Sequence, residues 1–199
     1  MTFTLHMAWH MVLVVAIAPM VAWNVSNTPL DPVRTAPAPF SPLIACLVEF
    51  LVVWGWHTPA LHDAARHNVA MFAAEQASFG VAAMWLWLSI LGGGDVERRA
   101  RAATGVIALV LTFAHMTMLG ALIALAPRVL YAHHAITLAD QQLGGAVMLA
   151  AGAVAYPLAS LWIVRSLVDP EPTLGTSGTQ RTSGTSGASG TSGTSGTLA

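Results

Sequence analysis

The chain has 199 residues, 55% of them hydrophobic and only 9% charged, with a formal net charge of −1 and a mean hydropathy of +0.65 that already includes a long polar tail. Lysine does not occur, so nothing offers a basic surface to nucleic acid. The single cysteine, Cys46, excludes an intrachain disulfide and argues against a thiolate metal cluster. This is the composition of a membrane protein.

Apolar runs at about residues 5–23, 42–57, 68–91, 102–126 and 141–164 are each close to the ~20 residues that cross a bilayer. They predict an all-α, polytopic membrane bundle of about five transmembrane helices within residues 1–168. No Lys or Arg precedes the first run, and His6 and His10 sit in its opening turns; a cleaved signal needs a basic leader, so this segment is read as a span of the mature protein. "NVSNTPLDPVRTAPAPFSP" then reads as a semi-extended connector. The second run is short and reaches spanning length only if its helix starts near Phe40. "WGWHTPALHDAARH" links it to the third run, and "GGGDVERRAR" links the third to the fourth. Asp140 precedes the fifth run and suits an N-cap there. Residues 169–199 are a Thr-Ser-Gly repeat that cannot bury enough apolar surface to offset its ordering entropy, and are read as a disordered, flexible tail.

Arginine sets the orientation. Arg98, Arg99 and Arg101 crowd one loop, and positive-inside bias puts that loop in the cytoplasm. Counting through five spans, Arg34, Arg165 and Arg181 fall on the same side, with Arg66 and Arg128 opposite. The N-terminus is then periplasmic and the C-terminus cytoplasmic, in a multi-pass protein of the bacterial inner membrane. Trp9, Trp54 and Trp56 lie near the outer helix ends and Trp23, Trp85, Trp87 and Trp162 near the inner ones, the headgroup levels that indole rings favour.

Seven of the eight histidines then share the outer side: His6 and His10 opening the first helix, His57, His62 and His67 in the second connection, His133 and His134 in the last. In "HMAWHM", His6 and His10 are four apart, as are Met7 and Met11, so each pair shares a helix face. His67, Met71 and Glu75 form another stripe at the same spacing. Imidazole and thioether together suit copper, particularly Cu(I), whereas Mg²⁺ and Ca²⁺ want oxygen cages; imidazole with carboxylate also serves zinc. The candidate ligands are His6, Met7, His10, Met11, His57, His62, His67 and Met71. Glu75, Asp140, Gln141 and Gln142 are placed to orient them as hydrogen-bond acceptors or to cap helices. Each residue also has a plain alternative: an interfacial histidine sits with its polar tip in water, and a methionine fills a gap. Glu49 and His115 lie mid-membrane, where an ionisable group is costly unless paired or functional. They can pair with each other, or a protonated Glu49 can bond a backbone carbonyl.

"HMAWHMVLVVAIAPM", "WGWHTPALHDAARHNVAMFAAEQASFGVAAMWLW" and "LYAHHAITLADQQLGGAVM" resemble the successive motifs of the CtaG-type cytochrome c oxidase assembly factors. The resemblance covers nearly all of residues 6–150. It implies a multi-spanning protein tied to copper supply for haem-copper oxidases, with His6, His10, Met11, His57, His67 and the set Asp140, Gln141 and Gln142 as the positions carried over. Gln76 departs from it, standing where a histidine often follows the glutamate of the third span.

The leading expectation is a non-enzymatic metallochaperone. It would take copper at the periplasmic face, from a periplasmic copper donor, and pass it to a haem-copper oxidase subunit in the same lipid bilayer. No nucleotide-binding loop and no Cys-x-x-Cys is present, which argues against an ATP-driven pump. The alternative is a small membrane cytochrome holding haem b between two axial histidines, His6 or His10 facing His67. A passive copper permease would need a polar path, and only Glu49 and His115 mark one.

Overall fold

A computed structural model of the chain describes residues 2–26, 28–131 and 136–168. His133, His134 and the tail from residue 169 lie outside the described residues. The helices are α1 (Phe3–Val12), α2 (Ala18–Val25), α3 (Pro32–Thr35), α4 (Pro42–Trp56), α5 (Pro59–His67), α6 (Val69–Leu91), α7 (Asp95–Ala124) and α8 (Leu138–Val168), with a π-helical turn, Leu13–Ile17, joining α1 to α2.

Four continuous helical stretches are long and apolar enough to cross a membrane: Phe3–Val25, α6, α7 and α8. The second expected span is different. Its helix begins at Pro42, not at Phe40, and α4 at 15 residues is about 22 Å long, short of the ~30 Å hydrocarbon core. It reaches spanning length only together with α5, from which it is bent by 71°. Pro59 explains the break, because it lacks an N–H and suits the first turn of a new helix. "HTPALHDAARH" is therefore mostly helix, where a connection was expected. The proline-rich connector likewise contains one helical turn, α3. Asp31 caps it, accepting from the Val33 N–H at 2.9 Å, and its other oxygen accepts from Gly93 N–H at 2.7 Å across to the α6–α7 loop. Gly93 sits at φ +82°, which glycine adopts without strain.

The spans close into a ring: α1 packs on α8, α8 on α7, α7 on α4, α4 on α6, and α6 on α2. Large apolar side chains point outward from every member, among them Leu5, Met20, Leu51, Val81, Leu122 and Leu161. Such a surface is solvated by lipid and not by water, and the backbone polar groups are met within helices, as a bilayer requires.

Two local features set the position of α1. Ala18 N–H bonds Leu13 O in the π-turn, and Pro19 has no N–H, so Val14 O loses both helical donors. The Trp87 indole N–H fills that vacancy at 3.0 Å. Trp87 is accordingly buried among the helices. The second feature is "DQQLGG". Asp140 was expected to cap its own helix; instead, Thr137 Oγ1 accepts from Asp140 N–H at 3.1 Å. The Asp140 carboxylate crosses to α1, accepting from Phe3 N–H at 2.7 Å, Thr4 N–H at 3.1 Å and Thr4 Oγ1 at 2.7 Å. Gln141 and Gln142 bond the α7–α8 loop: Gln141 Oε1 accepts from Leu130 N–H at 2.7 Å, and Gln142 Nε2 donates to Ala126 O at 3.2 Å. They hold that loop, and among the described residues neither bonds a histidine. Gly144 then faces Phe3 and Met7, and Gly145 faces the backbone of Gly120 and Ala124. A small residue on each side lets α8 approach α1 and α7 at once.

Candidate metal centre

At the end of the bundle where α1 and α8 begin, α1 and α6 bring three buried groups together. His6 and His10, one turn apart, meet with Nε2 atoms 2.7 Å apart and rings at 76°. Glu75 Oε1 lies 3.4 Å from His6 Nε2 and 3.8 Å from His10 Nε2. The side chains are 0%, 5% and 1% exposed. Gln76 donates to Glu75 Oε2 at 3.2 Å and leaves Oε1 facing the imidazoles.

Proton positions follow from the partners. Arg66 Nη1 lies 3.1 Å from His6 Nδ1, and a guanidinium can only donate. Neutral His6 therefore carries its proton on Nε2, between His10 and Glu75. His57, the C-cap of α4, places Nδ1 2.6 Å from Val53 O; the proton is on Nδ1 and Nε2 keeps its lone pair. His57 Nε2 and His10 Nδ1 are buried without a hydrogen-bond partner among the described residues.

Two neighbouring imidazoles complete the surroundings. His62, on the buried face of α5, sets its ring 5.3 Å from that of His6 and 4.4 Å from that of Tyr131. Burial pushes the Tyr131 phenol above its ordinary value, so it stays a neutral donor, to His57 O at 3.2 Å. The His57 ring lies 6.4 Å from that of His10.

Of the ligands expected from sequence, His6 and His10 are therefore brought together, and His57 and His62 stand beside them. Glu75, expected to orient ligands, shares the ligand set itself. His67 and Met71 are elsewhere: His67 is exposed at the end of α5, with Nδ1 2.9 Å from Asp63 O, and Met71 is partly exposed in the first turn of α6, its N–H on the Asn68 cap. His62 and His67 are five apart, about 140° around a helix, so only one can face inward. Met7 and Met11 point into a neighbouring cavity with Met116 and Met148, two residues that no local spacing connects to the first helix.

Glu49 and His115 do not pair. Glu49 takes hydroxyls from two other spans, Thr112 Oγ1 at 3.1 Å and Tyr156 OH at 3.4 Å. His115 sets its ring edge-on to Phe50 at 5.4 Å, and neither of its ring nitrogens has a hydrogen-bond partner among the described residues.

The donor set fits a transition-metal ion. Bonds of about 2.0–2.2 Å from imidazole and carboxylate put tetrahedral ligand atoms about 3.3 Å apart, and the three atoms here are separated by 2.7, 3.4 and 3.8 Å. Nitrogen and carboxylate oxygen at this spacing hold copper or zinc.

An apolar-faced helical bundle carrying a buried imidazole–carboxylate cluster at one end is a membrane protein with a candidate metal centre. Within that class its family is shown by sequence: residues 1–169 match the family model of the cytochrome c oxidase caa3 assembly factors, Caa3_CtaG, and the chain belongs to that family. The chain matches no curated protein and no solved structure.

Proposed function

We propose that this assembly factor binds copper as cargo at His6, His10 and Glu75 and hands it to a haem-copper oxidase subunit, without catalysing a reaction of its own. The observation that carries the reading is the convergence of three buried ligand groups, Glu75 standing 65 and 69 residues beyond His10 and His6 in sequence, in a protein of an oxidase assembly family. Positive-inside bias of Arg98, Arg99 and Arg101 puts the opposite end, and with it the cluster, on the periplasmic side. A copper donor there would meet α5, whose exposed face covers the cluster.

The haem alternative fares worse on space. A haem-sized ligand needs several hundred Å³, and the cavity beside His10 and His57 is about 10 Å³. The larger groove of about 560 Å³ is lined by Leu13, Phe40, Met84, Trp85 and other apolar residues, with no histidine.

The test is metal analysis with Cu(I) and Zn(II) competition on the purified full chain, repeated for His6→Ala, His10→Ala and Glu75→Gln. Each change should lower affinity by about tenfold or more while membrane insertion is retained. Unchanged affinity in all three would refute the assignment.

A further inference from the structure

Inward of the cluster lies the small cavity lined by Met7, His10, Met11, His57, Met116 and Met148 together with Val14, Val53 and Phe79. Four of the chain's nine methionines meet here, from α1, α7 and α8, and all are at most 4% exposed. At about 10 Å³ it has room for one atom-sized guest. Methionine alone would be unremarkable, because flexible thioethers fill irregular gaps in any core. Gap filling does not account for the two imidazoles. Both rings line the cavity, and His57 Nε2 and His10 Nδ1 are buried with no hydrogen-bond partner among the described residues, a cost that an apolar lining would avoid. The lone pair on His57 Nε2 is fixed there by the Val53 carbonyl on the other ring nitrogen. Soft sulfur with neutral nitrogen, and no carboxylate among the lining residues, selects a soft monovalent cation over a divalent one.

We propose that this cavity is a second metal site, specific for Cu(I), and that His10 bridges it to the outer cluster. The His10 Nε2 faces His6 and Glu75, while the same ring lines the thioether cavity. One imidazole thus belongs to a nitrogen–oxygen set on one side and a sulfur–nitrogen set on the other. An ion moving inward exchanges carboxylate for thioether and passes from His10 Nε2 to His10 Nδ1, while the single proton of that ring moves the opposite way, from Nδ1 to Nε2; no electron has to be supplied if it enters as Cu(I). Divalent zinc stops at the outer set. The inference rests on the outer cluster binding copper, as proposed above, and adds to it the inner ligands and the oxidation-state preference.

The experiment is X-ray absorption at the copper edge on the full chain in detergent, loaded anaerobically with Cu(I), alongside Cu(I) and Zn(II) affinities. The comparison variants are M116L/M148L, a change that nearly conserves volume, and E75Q. Wild type should show sulfur as well as nitrogen neighbours. M116L/M148L should lose a large part of the sulfur signal and about tenfold or more in Cu(I) affinity, with Zn(II) affinity unchanged. E75Q should weaken Zn(II) binding more than Cu(I) binding and keep sulfur among the copper neighbours. Copper bound by nitrogen and oxygen alone in wild type would overturn the second site while leaving the outer one standing. Failure of wild type to bind either metal would remove both.

Discussion

Replacing Gly145 by alanine tests the α7–α8 contact directly. A Cβ built there would lie 2.5 Å from Ala124 N, 2.8 Å from Gly120 O and 2.9 Å from Ala124 Cα, all backbone atoms that no rotamer change can move aside. The two helices would have to part by roughly 0.9 Å to restore van der Waals contact, which costs about 1–3 kcal/mol in a close-packed interior. Gly152, two turns further along the same helix, is the control, because its Cβ would meet only Met116 Cβ at an ordinary 3.7 Å. Both substitutions gain the same helix propensity, about 1 kcal/mol, so the difference between them isolates the clash. Denaturation of the two variants in detergent, followed by circular dichroism, should therefore place Gly145→Ala about 1–3 kcal/mol below Gly152→Ala. Coincident midpoints would refute the close approach.

Asp140→Ala removes three acceptor contacts from the start of α1 and should cost about 1–2 kcal/mol, with a parallel loss of metal affinity because His6 and His10 ride on that helix; an affinity unchanged by the substitution would separate the cap from the centre. Trp87→Phe leaves Val14 O without its donor, and a loss of about 1–3 kcal/mol is expected in the same denaturation assay. Arg66→Met withdraws a positive charge beside His6 and the guanidinium donor to its Nδ1; competition titration should show tighter metal binding, since a ligating Nε2 needs the proton on Nδ1. His67→Ala, by contrast, should leave metal affinity where it was, as His67 is exposed and bonded to Asp63.

Much of the architecture was legible in hydropathy, because each spanning helix must be apolar along its length and the bilayer fixes that length. The pairing of His6 with His10 was also legible, since a four-residue spacing is a local property of one helix. What escaped was decided between helices. Asp140 carries every local mark of an N-cap for α8, yet its carboxylate serves α1, which only the ring closure brings within reach. Glu75 looked like a supporting acceptor until α6 set it against two imidazoles. Met116 and Met148 belong to helices whose facing sides cannot be phased from sequence alone. Pro59 was an overlooked local signal, as was Pro32 after Asp31: a proline after His57 and Thr58 is as good a helix start as it is a loop residue, and reading it so would have set His62 and His67 on different faces of one helix.

The cross-brace from Asp140 to Phe3 and Thr4 has a consequence for biogenesis. Ribosomes deliver the first ligands at the very beginning of translation, but the carboxylate that seats their helix arrives with the final span. Until that last segment enters the bilayer, the Trp87 bond to Val14 can hold the inner part of that long helix, but the end that carries His6 lacks its brace to Asp140. Nascent chains truncated before residue 140 should consequently insert their leading helices yet fail to retain an ion, so that loading becomes a report on completed synthesis.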